Sequence, residues 1–146
     1  MSDAERFADA VVQFVRSFGL HRPECTPCGF DAGVAEAHAL GELSAAPLRQ
    51  GDLAERLVLT KSTVSRLVSN LVDRGWAERC VVDADGRGVT VGLTRAGRDA
   101  AARLRKARTR RMQTLLDAVP TERRREVVEV LTVLEDAARI SDPQRG

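Results

Sequence analysis

Between Thr60 and Gly75 the apolar residues fall at Val64, Leu67, Val68, Leu71 and Val72. On a helix of 3.6 residues per turn this spacing makes one continuous apolar stripe. Thr60 stands where an N-cap belongs, and Gly75 where the chain must leave the helix. The other face carries Lys61, Ser62, Ser65, Arg66, Ser69 and Asp73. A helix this short gains its stability from packing, so its neighbours in sequence must supply a second layer. Upstream, DLAERL reads as another short helix, and Leu57, Val58 and Leu59 leave room only for a tight turn before Thr60. Downstream, WAERCVV alternates like a strand, DADGRG supplies turn residues and VTVGL returns. That is a hairpin with a six-residue loop. Its alternation places Cys80 among the buried residues, where a small thiol packs well.

The flanks read as helices. Residues 3–20 carry a narrow stripe of Phe7, Val11, Phe14 and Phe18, which needs a partner either in the same chain or in another subunit. HRPECTPCGF, residues 21–30, breaks that helix with two Pro and a Gly. Asp31 is the expected cap of a helix running to about Ala46, with Ala35, Leu40 and Leu43 inward and Pro47 as its stop. Thr94 caps a long helix to about Ala118. After Pro120-Thr121 a last helix shows Val127, Val130, Leu131, Leu134 and Ala138 in a stripe. The chain has no Tyr, and its four Phe all lie in the first 30 of 146 residues. The core must therefore be Leu, Val and Ala, which suits helix packing better than a β-sandwich. The predicted class is mainly α with a small two- to three-stranded wing, in one domain-sized protomer. No apolar run is long enough to span a membrane, and the start lacks a basic region and apolar h-region. A cytoplasmic protein is expected.

The net charge of +2 hides a division. Residues 1–46 sum to −4, residues 47–111 to +8 and residues 112–146 to −2. A basic centre between acidic ends points to a polyanion partner for the middle segment. Two short helices followed by a hairpin form a winged helix-turn-helix. Its second helix must present small polar groups that let the backbone approach base edges, and cations that reach guanine or phosphate. Ser62, Thr63, Ser65, Arg66 and Ser69 fit that need, and Lys61 lies at the helix N-terminus, where phosphate binds. Arg87, flanked by Gly86 and Gly88 at the loop tip, suits a narrow minor groove. Asp83 or Asp85 is expected to hold its guanidinium. The competing use of such a module is docking to another protein without DNA. Enzymatic classes lack their parts: there is no P-loop, no GxGxxG and no Ser-His-Asp arrangement.

The stretches QGDLAERLVLTKSTVSRLVSNLVDRGWAER and DADGRGVTVGLTRAGR resemble the multiple antibiotic resistance regulator (MarR) family of bacterial transcription factors. The likeness covers about residues 35–115, with Asp83, Asp85, Arg87, Leu93, Thr94 and Gly97 spaced like that family's wing and long helix. It implies a homodimer joined through residues 1–46 and 112–146, with residues 47–111 as the DNA-binding segment. It implies a palindromic duplex as partner, usually near the protein's own promoter. It implies repression released when an effector changes the spacing of the two reading helices. The implied DNA-binding residues are Lys61, Ser62, Thr63, Ser65, Arg66, Ser69 and Arg87.

One segment departs from the family pattern. Of three Cys and two His in the chain, His21, Cys25, Cys28 and His38 fall within 18 residues. Two thiolates in Cys-x2-Cys can grip one tetrahedral metal, so a zinc site of His21, Cys25, Cys28 and His38 is one reading. A thiol–disulfide pair of Cys25 and Cys28 is another. The third leaves the cysteines incidental and makes a small organic molecule the effector. EAHAL resembles a segment of zinc-sensing relatives, but their His-rich stretch in the long helix has no counterpart here.

Overall fold

The computed structural model describes residues 1–82 and 88–142. The chain forms two compact units, Met1–Thr109 and Arg110–Gly146. The first contains α1 (Asp3–Phe18), α2 (Val34–Leu43), α3 (Gln50–Leu57), α4 (Lys61–Asp73), β1 (Ala77–Val81) and β2 (Val89–Leu93). It also contains most of α5 (Arg95–Asp117). The second holds the end of α5, a 3-10 turn at Thr121–Arg123, and α6 (Arg124–Ser141). The chain is mainly α with a two-stranded antiparallel sheet, as the sequence predicts.

The core of the first unit is aliphatic. Leu40 and Leu43 from α2, Leu53 from α3, Val64, Leu67, Val68 and Leu71 from α4, Val91 from β2 and Leu104 from α5 are buried together. Phe30 and Trp76 pack only at its edge. The α4 stripe is thus the inner layer, and each such side chain contributes about 1.5–3 kcal/mol by leaving water. Thr60 caps α4, its Oγ1 accepting from the Thr63 N–H at 3.2 Å. Gly75 leaves the helix at φ +75°, a left-handed conformation that favours glycine.

The turn between α3 and α4 closes with the Leu59 N–H donating to the Ala54 carbonyl at 3.0 Å. Leu57 and Leu59 pack onto the core. Val58 between them is left exposed at φ 56°, ψ 45°.

β1 and β2 pair in register from Ala77↔Leu93 to Val81↔Val89. Leu48 adds a third edge through two hydrogen bonds with Val91, at 3.0 and 2.7 Å. The hairpin's base is locked to α5. Thr94 Oγ1 donates to the Gly75 carbonyl at 2.6 Å and accepts from the Gly97 N–H at 3.0 Å. A Cβ on Gly97 would lie 1.9 Å from the Trp76 carbonyl oxygen, so only glycine permits this approach of α5.

Two expectations are corrected here. Cys80 is exposed, and in β1 only Ala77 is buried. Cross-strand neighbours share a face, and Ala77 and Arg79 stand opposite the buried Leu93 and Val91. The inward phase is therefore 77, 79 and 81, one residue off the phase that buries Cys80. The cap of α2 is Gly33 instead of Asp31. Glu36 accepts from the Gly33 N–H at 3.3 Å, and the Val34 N–H donates to the Pro23 carbonyl at 2.9 Å. The local cap by Glu36 and the folded-back loop at Pro23 together set where α2 begins.

α1 is capped by Ser2 and Glu5 in a reciprocal box. Phe14 and Phe18 stack at 5.6 Å, and Phe18 is buried. Phe7, Val11 and Phe14 remain exposed. In the second unit, Arg124 Nε donates to the Val119 carbonyl at 3.1 Å, closing the turn into α6. No residue of α6 is buried: of its predicted stripe, Val130 and Leu131 are exposed, and Val127 and Leu134 half-buried.

Candidate nucleic-acid interface

The face of α4 opposite the core is polar and open. Lys61, Ser62, Ser65 and Arg66 are exposed. Thr63 is half-buried and belongs partly to the cap, since Thr60 Oγ1 lies 2.8 Å from Thr63 Oγ1 and 3.2 Å from Ser62 Oγ. The first-turn N–H groups and Lys61 together form a positive helix end suited to phosphate. Ser65 and Arg66, a turn further on, stand where base edges would be reached in a major groove.

Ser69 is already engaged. Its hydroxyl donates to the Ser65 carbonyl at 3.0 Å and accepts from Arg79 Nη2 at 3.3 Å. Arg79 is therefore the residue that sequence reasoning missed. It reaches this face from β1, on the inward phase of the strand, and its guanidinium lies at the edge of α4. Its signal was the strand phase: once Ala77 is inward, so is Arg79. Arg87, with Asp83 and Asp85, lies outside the described residues.

Behind the interface, Arg74 at the end of α4 makes a different set of contacts. Its Nη2 donates to the Asp31 carbonyl at 2.7 Å and its Nη1 to Glu36 at 3.1 Å. The guanidinium carbon sits 3.7 Å from the Trp76 ring centroid, a cation–π contact. Trp76 in turn packs on Phe30 at 5.9 Å. The segment between α1 and α2 is thereby fastened to the C-terminal end of α4.

That segment carries three of the four sequence-predicted metal ligands. His21 and Cys25 are exposed, and Cys28 is half-buried against the core. His38 lies on α2. Among the described residues, no three His, Cys, Asp or Glu side chains gather closely enough to hold a metal ion. The structure does not bring the four together as a set. His38 keeps an open edge, yet protein crowds its ring enough that burial lowers its pKa; the Arg108 charge lowers it further, and Glu42 opposes both.

The MarR family model matches residues 31–88, which span α2, the helix-turn-helix and the hairpin. The stretch is a winged helix similar to that of the MarR family. Solved structures agree along nearly the whole chain. MepR, a transcription regulator of the Staphylococcus aureus multidrug efflux pump MepA, is 26% identical with a TM-score of 0.67, covering 94% of this chain and 98% of its own. The PcaV transcriptional regulator from Streptomyces coelicolor, solved with its natural ligand, is 25% identical with a TM-score of 0.62, covering 92% and 90%. Streptococcus pneumoniae FabT, solved in complex with DNA, shares the fold at a TM-score of 0.77 and 20% identity, covering 96% of this chain and 100% of its own. Among curated proteins none matches the sequence. MarR-type folds of this kind belong to transcription regulators, which are not enzymes. No helix among the described residues is long and apolar enough to cross a membrane.

Proposed function

We propose that the chain is a homodimeric, DNA-binding transcription regulator of the MarR type that acts as a repressor in the cytoplasm. The observation that carries this reading is the exposed face of α4, with Lys61, Ser62, Ser65 and Arg66 open on a helix whose other side is the core. MepR and FabT have both been solved with DNA, which supports the same use of the shared fold. Two α4 helices are needed to read a palindrome, with half-sites about one DNA turn apart. The second subunit would cover the apolar faces that a single chain leaves open: Phe7, Val11 and Phe14 on α1, and Val130 and Leu131 on α6. The acidic ends of the chain then serve association, and the basic centre serves DNA. An effector that changes the spacing of the two α4 helices would release the duplex.

Selection from a random duplex pool tests this reading. Reduced protein should enrich an inverted repeat, and its affinity should fall steeply as salt rises. No enrichment at low salt would instead support a winged helix that docks on protein.

A further inference from the structure

In the basic segment 47–111 the exposed large apolar side chains, among the described residues, are Val58, Val81, Val82 and Val89. All four lie outside the helices: Val58 in the turn between α3 and α4, the others on the hairpin. Val58 carries two costs at once. Its backbone closes α3 in the left-handed region, at φ 56° and ψ 45°, where glycine is the easy residue. Its side chain is left to water, while Leu57 and Leu59 on either side pack on the core. It stands three residues before Lys61, so the two Cα atoms are within about 11 Å of each other. Val81 and Val89 are a directly opposed cross-strand pair. They share a strand face with Arg79, two residues back along β1 and so about 7 Å away. That face is turned to α4, because Arg79 Nη2 donates to Ser69 Oγ at 3.3 Å. Val82 is one residue out of phase and lies on the opposite face. Along α4 the open polar residues Lys61, Ser62, Ser65 and Arg66 fall between these two apolar points, Val58 before them and the valine pair near Ser69.

An apolar rim around a polar, cationic strip matches the wall of a duplex groove. A helix in the major groove meets base edges, and the segments at its ends meet the sugar–phosphate backbones. A backbone offers phosphates to cations and, between them, the carbon edges of deoxyribose to apolar groups. We propose that Val58, Val81 and Val89 form an apolar rim of the DNA-reading face and pack against deoxyribose on the two backbones that wall the groove, a contact that rests on the DNA-binding reading above and adds a dry component to its ionic one. The strain at Val58 then persists because its side chain is used in the complex. The rim is indifferent to sequence, since every nucleotide presents the same sugar. Val82, on the other face of the hairpin, takes no part.

The test compares salt titrations on a duplex selected with wild type. Cation–phosphate contacts set the slope of affinity against salt, whereas apolar contacts shift the whole line without tilting it. Val→Thr keeps the β-branched shape and adds a hydroxyl. Val58→Thr, Val81→Thr and Val89→Thr should each bind about 3-fold more weakly at every salt concentration with the wild-type slope, as partial burial of one valine implies. Val82→Thr should bind like wild type. Val58→Gly should also bind more weakly although it is the more stable protein in urea, so its loss is no failure of folding. Sedimentation of all five should match wild type. Replacing thymine by uracil throughout the duplex should change the affinity of wild type and of the three rim variants by the same factor. Any of five results would overturn the proposal: unchanged affinity in the rim variants, a loss that comes with a lower salt slope, an equal loss in Val82→Thr, a shift toward monomer that makes the rim a subunit contact, or a uracil effect confined to wild type, which assigns the valines to thymine methyls. Failure of wild type to select any duplex would sink the DNA-binding reading instead, and is seen before any variant is made.

Discussion

Val58 has a β-branched side chain in the left-handed region, where its Cβ crowds the backbone. Its side chain is 55% exposed, so little packing is lost by removing it. Val58→Gly should raise stability by about 1 kcal/mol in urea unfolding. Gly97 is the opposite case. Gly97→Ala drives a Cβ into the Trp76 carbonyl, a backbone atom that cannot step aside, and should cost at least ~3 kcal/mol or abolish folding. His38 adds a pH dependence. Burial, then Arg108, lower its pKa from the ordinary 6.5, so unfolding takes up a proton just below that pH. Stability is therefore complete above pH 6.5 and falls as the pH drops through the window beneath it. Urea midpoints across that range should show the fall, and His38→Gln should flatten it.

At the scale of elements, α4 was legible because three independent signals coincide in it: the apolar spacing, the Thr60 cap and Gly75. The wing was half legible. Its two strands follow from turn chemistry and alternation, but the phase of β1 does not, because Ala77 and Cys80 are both small enough to be buried. The core decides between them through β2: the buried Leu93 and Val91 stand opposite Ala77 and Arg79, although within β1 only Ala77 is itself buried. The same one-residue shift exposes Cys80 and hides Arg79 from a sequence reading. The α2 start was lost for a different reason: Glu36 three residues on caps Gly33, a local pattern outweighed in the sequence by the better capping residue Asp31, while the Pro23 carbonyl and Arg74 act from eleven and some forty residues away. Two substitutions separate the roles on this face. Arg66→Ala should weaken specific binding by about 1–3 kcal/mol and relax the preference at one base pair, if titrated against single-base variants of the selected duplex. Arg79→Ala should weaken binding to all duplexes alike and lower the salt slope by about 1.

For the molecule as a whole, the division of charge along the sequence follows the division into elements. The segment with +8 holds α3, α4, the hairpin and the start of the long helix. The segments on either side carry the acidic excess and the uncovered apolar faces of α1 and α6. A chain that exposes Phe7, Val11, Phe14, Val130 and Leu131 together is expected to associate. Phe7→Glu and Leu131→Glu should each shift sedimentation from dimer toward monomer and weaken palindrome binding, while a single half-site is still bound weakly. The most direct test of the central claim is methylation interference at guanine N7 on the selected duplex. Two clusters of interfering guanines in the major groove, about one helical turn apart and related by a dyad, are predicted. Interference confined to one cluster, or absent although the protein binds, would contradict a pair of α4 helices reading the DNA.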